Sequence, residues 1–114
     1  MLPFRTRLSA DQRRLEYQRI GRHRESRVPA ILERGSNLTP PIDKEKFLLP
    51  FDLTMAQFAF VVRRRLNMDS SKALFLLVNG CIPPAQMTVH DVYNKNVSDD
   101  GFLYVVYTLE NTFG

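Results

Sequence analysis

Apolar residues between positions 55 and 66 recur at spacings of three and four. They are Met55, Phe58, Ala59, Val62 and Leu66. This periodicity places one apolar stripe on a helix, and Thr54 followed by Gln57 has the form of a capping box at its start. The pattern therefore predicts a helix over about 55–66. Phe60 and Val61 project away from the stripe, so they are either scattered exposed apolar residues or part of a binding surface.

Four further apolar segments have the length and composition of β-strands, at residues 27–33, 46–50, 73–78 and 103–109. The last is apolar on both faces, which predicts a central strand. The segment 46–50 is short and lies between loops, which is typical of an edge strand. An uncovered edge can accept a peptide as an additional strand, so this segment is a candidate binding surface.

Three more segments have helical patterns. A second capping box, from Ser9 to Gln12, predicts a helix over about 10–24 whose apolar stripe is thin, so this helix must lean on a core built elsewhere. Residues 2–8 predict a shorter turn or helix before it, and Thr88 can cap a short helix near 89–94. Together the elements predict a mixed sheet wrapped on one helix, an α+β fold in one domain.

The charge of the chain is unevenly distributed. Its net charge is +4, yet residues 1–34 hold nine arginines against four acidic residues, and the remaining residues are slightly acidic. A basic segment of this kind can face nucleic acid, anionic lipid or an acidic protein. It can equally be the solvated face of a helix, and both interpretations remain open at this point.

Chemistry-bearing residues are few and scattered. Cys81 is the only cysteine, which excludes an internal disulfide and favours an intracellular, reducing compartment. His23 and His90 have no local relation to Cys81. A Cys–His nucleophile would need the fold to bring such a pair together, so a small, partly buried cysteine is the simpler interpretation. Asp99 and Asp100 are adjacent in a turn, where acidic residues are common. We find no phosphate loop, metal-ligand spacing or paired carboxylates, no secretory signal and no apolar run long enough to span a membrane. We therefore expect no catalytic residue, no metal, no cofactor and no enzymatic activity.

The chain ends on Gly114. Glycine has no side chain to shield its carboxylate, so an enzyme can grip a narrow tail and activate or cut at that point. Taken alone the feature is weak, because glycine is a common residue.

Several short pieces, in a fixed order and spacing, carry more information. They are Arg27-Val28-Pro29-Ala30-Ile31, Ile42-Asp43-Lys44 with Lys46, Leu53-Thr54 with Gln57-Phe58, Lys72-Ala73-Leu74-Phe75, Pro83-Pro84, Asp100-Gly101-Phe102-Leu103-Tyr104-Val105 and Glu110-Asn111-Thr112-Phe113-Gly114. With these pieces the sequence, from about Phe4 to Gly114, resembles the ubiquitin-like autophagy modifiers, the family conjugated to phosphatidylethanolamine.

The resemblance implies a ubiquitin-like β-grasp fold with two additional N-terminal helices. It divides the single structural domain into a helical extension over residues 1–25, packed on the core, and a β-grasp unit over residues 26–114 that includes the C-terminal tail. The notable departures are Ser9-Ala10, where family members often carry Pro-Phe, and Leu109, where a small residue is usual. The first puts the docking of the N-terminal helices in question, and the second the recognition of the tail.

The resemblance also implies a reaction sequence in which this chain is the substrate. A processing and delipidating cysteine protease would expose Gly114, with Phe113 recognised beside it. Ubiquitin-like activating and conjugating enzymes would then pass the glycine carboxylate to the amine of phosphatidylethanolamine. The protein would be cytoplasmic, and on the autophagosome membrane when lipidated.

In this family, cargo receptors and adaptors bind through short aromatic-x-x-aliphatic peptides added to an edge strand. By matching positions, the aromatic pocket would be lined by Glu16, Ile20, Pro29, Ile31, Lys46, Leu48 and Phe102. The aliphatic pocket would be lined by Phe47, Leu49, Pro50, Leu53, Phe58 and Val61. Arg27, Lys44 and Lys46 would meet acidic residues that flank the peptide. Core packing is the simpler explanation for most of the apolar positions.

Two rival hypotheses remain. The first is a trafficking or cytoskeletal adaptor that works without conjugation, through the basic N-terminal helices of residues 1–25. The second is a small basic nucleic-acid-binding module. No nucleic-acid partner is expected, because the N-terminal arginines are not interleaved with exposed aromatics and no recognition motif is present.

Overall fold

The computed structural model describes residues 2–21, 25–36, 39–68 and 72–109. Within these ranges the chain forms four helices and four strands. In chain order they are α1 (Phe4–Arg7), α2 (Ala10–Ile20), β1 (Arg27–Arg34), β2 (Lys46–Pro50), α3 (Met55–Leu66), β3 (Leu74–Leu77), α4 (Val89–Asn96) and β4 (Leu103–Leu109).

The strands form one mixed sheet in the order β2-β1-β4-β3. β1 pairs with β2 antiparallel and with β4 parallel, and β3 pairs with β4 antiparallel. The predicted central position of β4 and edge position of β2 are therefore both confirmed within the described residues. This mixed sheet, with helices on both faces, confirms the predicted α+β class.

Side-chain alternation along the strands produces two apolar layers. The larger layer lies between the sheet and helices α3 and α4. Phe58, Val62, Val89 and Val92 are fully buried there and belong to the same cluster as Val28, Ala30 and Leu32 of β1. The smaller layer lies on the opposite face. It consists of Phe4, Ile31, Phe102 and Tyr104, with Leu8, Tyr17 and Ile20 packed around them.

The N-terminal helices cover this second face. No residue of α2 is buried, in agreement with its thin apolar stripe. The helix begins at the predicted capping box, in which Ser9 and Gln12 exchange side-chain and backbone hydrogen bonds. It ends at Ile20, earlier than the predicted boundary at 24, because Gly21 at φ 53° caps the helix. Residues 22–24 and His23 among them lie outside the described residues.

The helix α3 has the predicted bounds, and its capping box between Thr54 and Gln57 is formed. Thr88 caps α4 as predicted, by accepting a hydrogen bond from the backbone N–H of Asp91. After β3 the chain turns at Asn79 and Gly80, both at positive φ. Cys81 follows this turn and is exposed, so the expectation of a partly buried cysteine was wrong. The backbone of Cys81 pairs with that of Val78 across this tight turn, and its side chain lies at the surface beside the turn.

Candidate functional site

The strand β2 has one open edge among the described residues, because its only strand partner is β1. Leu32 donates its N–H to the Glu45 carbonyl at 2.8 Å, and Phe51 donates to the Ser26 carbonyl at 3.2 Å. Hydrogen-bonded and non-hydrogen-bonded pairs alternate in an antiparallel ladder. The backbone N–H and C=O groups of Lys46 and Leu48 therefore point away from β1, towards the open edge.

Two prolines fit this ladder without leaving it incomplete. Pro29 lies opposite Leu48, at a pair that exchanges no hydrogen bonds, and the parallel pairing of β1 with β4 begins only at Ala30. The missing N–H of Pro29 therefore removes no ladder bond. Pro50 at the end of β2 limits how far an added strand can pair, because it offers no N–H to the open edge.

The seven residues expected to line the aromatic pocket lie on the α2 side of the sheet. Ile31 and Phe102 are fully buried and form a floor with the half-buried Ile20. Register pairs Pro29 with Leu48 and Ile31 with Lys46, so these side chains share this face beside the open edge. The carboxylate of Glu16 lies 3.3 Å from the Lys46 ammonium and joins α2 to β2. The structure thus brings these residues together, although several of them serve as core.

Of the six residues expected to line the aliphatic pocket, Phe47 and Leu49 lie on the other face of β2. Phe58 and Val61 lie on α3, Leu53 lies just before α3, and Pro50 ends β2 in alternation with Lys46 and Leu48. Phe47, Leu49 and Phe58 are buried, and the rings of Phe47 and Phe58 meet edge to face with centroids 5.6 Å apart. Leu53 is half-buried, and Pro50 is exposed. Val61 is 36% exposed at the rim, as its position off the apolar stripe suggested, and Phe60 beside it is 59% exposed. The two candidate pockets therefore flank the same open edge.

Each of the three cations expected to meet acidic flanking residues has an intramolecular contact. Arg27 donates from Nη1 to the Leu48 carbonyl at 3.3 Å. The Lys44 ammonium lies 4.9 Å from the centroid of the Phe47 ring. Lys46 pairs with Glu16, as described above. All three lie within reach of the open edge without being buried.

Two surface grooves in the described part of the chain lie elsewhere, and the sequence did not indicate them. One, of about 690 Å³, is at the end of β1 beside α1 and includes Phe4, Ile42 and Tyr107. The other, of about 150 Å³, lies between α3 and β3 and includes Met55, Leu76 and Ile82. Neither is at the open edge of β2, where the floor residues are already packed.

A buried polar cluster holds the N-terminal helices in place. Arg13 donates from Nε to Asp100 Oδ2 at 2.9 Å and from Nη1 to the Leu8 and Arg5 carbonyls. Asp100 also accepts from the Tyr104 hydroxyl and from the Phe102 N–H. Burial, followed by the hydrogen bond to Asp100, raises the pKa of the Tyr104 phenol well above its usual value. The chain thus docks its N-terminal helices with Ser9-Ala10 in place of Pro-Phe.

Most arginines of the N-terminal helices contact acidic groups. Arg5 forms an ion pair with Glu33 and lies 4.2 Å from the centroid of the Tyr104 ring, and Arg7 pairs with Glu45. Arg14 and Arg19 pair with acidic residues one helical turn earlier, Asp11 and Glu16. Among the described residues, the five arginines of α1 and α2 are therefore engaged in docking and in pairing within their own helix.

Two further expectations concern the tail residues and a metal site. Phe113 and Gly114 lie outside the described residues. Within the described ranges, no group of three or more His, Cys, Asp and Glu side chains could hold a metal ion. The helices in these ranges include none that is long and apolar enough to cross a membrane.

The amino-acid sequence is similar to one family of known proteins. The family described as "Autophagy protein Atg8 ubiquitin like" matches residues 12–114. The chain is 45% identical over 105 residues to Autophagy-related protein 8 of Lodderomyces elongisporus, covering 91% of this chain and 72% of that protein. It is 42% identical over 105 residues to Autophagy-related protein 8c of Arabidopsis thaliana, covering 91% of this chain and 88% of that protein.

A solved structure shows the same fold. The crystal structure of Trypanosoma brucei ATG8 superposes with a TM-score of 0.89 at 31% identity, and the match covers 100% of this chain and 99% of that one. The β-grasp core with its two N-terminal helices is therefore shared with that protein. Given a family match over nearly the whole length and this agreement in fold, the chain belongs to the Atg8 family of ubiquitin-like autophagy proteins.

Proposed function

We propose that this protein is a modifier, not an enzyme, that is conjugated through Gly114 to phosphatidylethanolamine on autophagosomal membranes and recruits cargo receptors and adaptors. The observation that carries the proposal is the open edge of β2 between two sets of apolar residues. An edge with outward N–H and C=O groups binds an extended peptide through its backbone, and pockets on either side select alternate side chains.

The geometry supports an aromatic-x-x-aliphatic ligand in particular. On the α2 side, Ile31, Phe102 and Ile20 offer an apolar floor with the Glu16–Lys46 ion pair at its rim. On the α3 side, Leu53 and Val61 remain partly accessible above Phe58. Arg27, Lys44 and Lys46 place positive charge along this edge, which suits acidic residues flanking the two anchors.

Conjugation is supported by membership of the Atg8 family and by the match of that family through residue 114. The partners would be the activating and conjugating enzymes and a processing and delipidating cysteine protease that recognises Phe113. Cytoplasmic protein would move to the membrane on lipidation. Covalent lipid would supply an anchor that none of the described helices supplies.

The lipidation experiment uses the full chain with activating and conjugating enzymes, ATP and liposomes that contain phosphatidylethanolamine. Mass spectrometry should show the mass gain of one lipid on Gly114, absent when Gly114 is deleted. The deletion variant should unfold at the same urea concentration as the wild type. No adduct, with enzymes that lipidate a control Atg8 protein, would contradict the proposal.

The peptide-binding experiment exploits the outward orientation of the Leu48 N–H. Leu48→Pro removes that donor without removing a β1–β2 ladder bond, whereas Leu48→Ala keeps the donor and removes only the side chain. With a twelve-residue peptide that contains Trp-x-x-Leu, fluorescence anisotropy should show about tenfold weaker binding by the proline variant than by the alanine variant. Equal affinities of the two variants would contradict strand addition at this edge.

The rival adaptor hypothesis has less support from the structure. It needs cations of the N-terminal helices to face a partner, yet Arg5, Arg7 and Arg13 hold those helices on the sheet. The two functions differ in one readout. Membrane recruitment that survives deletion of Gly114 and falls steeply with salt would favour the adaptor.

A further inference from the structure

The chain reverses direction after β3 in a turn of two residues, Asn79 and Gly80. On either side of the turn, the Val78 N–H donates to the Cys81 carbonyl at 2.8 Å and the Cys81 N–H donates to the Val78 carbonyl at 3.1 Å. Asn79 has φ 51° and Gly80 has φ 79°, so both central residues are left-handed, as in a type I′ turn. Asparagine and glycine suit this backbone, because they tolerate the left-handed region best.

Asn-Gly is also the pair in which an asparagine side chain is most open to attack by its own backbone. The backbone nitrogen of the following residue can close a five-membered ring on the asparagine Cγ, and glycine leaves this approach unobstructed because it has no Cβ. Asn79 is the one asparagine in the sequence that a glycine follows. The residues that follow the other asparagines all have a side chain, and they are Leu38, Met68, Lys95, Val97 and Thr112.

The turn leaves the reacting groups accessible. Asn79 and Gly80 are exposed, and no hydrogen bond among the described residues uses the Gly80 N–H. A Cβ built on Gly80 would meet nothing within 4 Å. The Asn79 side chain has a restraint, because its Nδ2 donates at 2.9 Å to Oδ1 of Asn96, the last residue of α4. Asn96 is itself held by a hydrogen bond of 2.9 Å from its Nδ2 to the Val92 carbonyl.

We infer that Asn79 is a site of spontaneous deamidation and that its hydrogen bond to Asn96 controls the rate. The Gly80 nitrogen attacks Cγ of Asn79, so that the N–Cγ bond forms and the bond from Cγ to Nδ2 breaks. The amide nitrogen leaves as ammonia and takes the proton of the Gly80 N–H with it. Water then opens the cyclic imide. Cleavage at Cγ leaves aspartate, whereas cleavage at the backbone carbonyl carbon leaves isoaspartate, in which the chain continues through Cγ.

Both products change the contacts of the turn. A carboxylate at position 79 has no N–H to donate to Asn96, and it lies beside the C-terminal end of α4, where the helix carbonyls already place negative charge. Isoaspartate also adds a methylene to the backbone of a two-residue turn, so the paired hydrogen bonds of Val78 and Cys81 lose their spacing. Ile82 follows directly and lines the groove of about 150 Å³ between α3 and β3. Isoaspartate therefore displaces one wall of that groove.

The test incubates the full chain at neutral and at mildly alkaline pH. Peptide mass spectrometry measures how fast each asparagine loses its amide, and chromatography separates the aspartate and isoaspartate products. Asn67 and Asn94 are also exposed and serve as controls within the same molecule. Asn79 should react at least about tenfold faster than either control, because neither of them precedes a glycine. The reaction should be faster at alkaline pH, since the attack uses the deprotonated Gly80 nitrogen.

Two variants at position 96 isolate the role of the hydrogen bond. Asn96→Ala removes the acceptor for Asn79, whereas Asn96→Asp keeps an acceptor oxygen, and both lose the donor to the Val92 carbonyl. Deamidation should be about threefold faster in Asn96→Ala than in Asn96→Asp, because a hydrogen bond no longer holds the reacting amide. Asn79→Gln should give no product at this position over the same time, because its longer side chain would have to close a larger ring. Circular dichroism checks that every variant stays folded during the incubation.

Two results would overturn the inference. If Asn79 keeps its amide as long as Asn67 and Asn94 do, the fold protects the turn and the site does not exist. If Asn79 reacts but Asn96→Ala and Asn96→Asp lose the amide at the same rate, the hydrogen bond does not control the reaction. The reaction needs only water, so neither result bears on the proposed conjugation or peptide binding.

Discussion

Arg13 and Asp100 form an ion pair of 2.9 Å between Nε and Oδ2, although 87 positions separate them in the chain. The Asp100 side chain is 3% exposed and that of Arg13 19% exposed. The pair joins helix α2 to the turn before β4, next to the rings of Phe102 and Tyr104. Together with the packing of Tyr17 and Ile20, it holds a helix with a thin apolar stripe on the sheet.

The first prediction concerns this ion pair. Asp100→Asn removes the charge that Arg13 faces and weakens the acceptor used by Tyr104 and the Phe102 N–H. Because Arg13 keeps some contact with solvent, we expect a loss of about 2 to 4 kcal/mol in the free energy of unfolding, measured with urea. Asp99→Asn, at the exposed neighbouring position, is the control and should cost less than about 0.5 kcal/mol. Similar losses for the two variants would argue against a structural role of the pair.

The second prediction concerns pH. Burial, followed by the hydrogen bond to Asp100, raises the pKa of Tyr104 above the value of about 10 found in unfolded chains. Between that value and the native pKa the unfolded chain releases the phenol proton and the native chain keeps it, so stability falls as pH rises. The contribution of Tyr104 to the free energy of unfolding is fully present below about pH 10 and is lost as the pH rises towards the native pKa.

This pH dependence is checked by comparing how steeply the free energy of unfolding falls with pH in the wild type and in Tyr104→Phe. Urea unfolding between pH 8 and 11 should show a steeper loss of stability for the wild type than for Tyr104→Phe, by up to about 1 kcal/mol per pH unit. Tyr107, whose pKa burial also raises, is present in both proteins and cancels in the comparison. Parallel curves for the two proteins would show that Tyr104 titrates normally.

The third prediction concerns Gly101. Its φ is +99°, and a Cβ at this position would lie 2.5 Å from Cδ1 of Tyr17 on α2. Gly80, at φ +79°, would meet nothing within 4 Å, so Gly80→Ala measures the cost of backbone strain alone. We expect about 1 kcal/mol for Gly80→Ala and about 2 to 4 kcal/mol for Gly101→Ala, by urea unfolding. If Tyr17→Ala reduces the cost of Gly101→Ala, the excess arises from the ring contact; if it does not, that explanation is wrong.

The fourth prediction separates two exposed residues of α3. Val61→Ala should weaken binding of a Trp-x-x-Leu peptide about threefold, because it removes part of the proposed rim of the aliphatic pocket. Phe60→Ala removes a larger and more exposed side chain outside the proposed pocket, and should change the affinity less than Val61→Ala. Replacing the peptide leucine by alanine should abolish the difference between wild type and Val61→Ala. A larger effect at Phe60 would move the binding surface to the outer face of α3.

Features that depend on neighbouring residues were predictable from the sequence. The helix α3 was predicted with its bounds because its apolar spacing and its capping box lie within a few residues of each other. The edge position of β2 followed from its short length and flanking loops, and the central position of β4 from its apolar residues on both faces. The end of α2 was missed because one glycine, Gly21, outweighs the polar helical pattern around it.

The candidate site depends partly on the sequence and partly on the tertiary structure. Its residues follow from matching positions with a family, and the sequence gives no other reason to group Ile20 with Phe102 or Leu53 with Val61. Whether such a residue is floor or rim depends on burial, which separates Ile31 and Phe58 from Val61. The contact of Arg27 with the Leu48 carbonyl had no signal in the sequence, because it depends on which β2 carbonyls point outward.

By itself the sequence determined the type and order of the elements, the class of fold and, through resemblance, the family. The tertiary structure alone decided which contacts hold α1 and α2 on the sheet, the Arg13–Asp100–Tyr104 cluster, the exposure of Cys81 and the contact of Arg27 with the Leu48 carbonyl. The physical reason is the separation along the chain of the residues that interact. Periodicity and capping act between residues a few positions apart, whereas ion pairs and open edges depend on which distant segments the fold brings into contact.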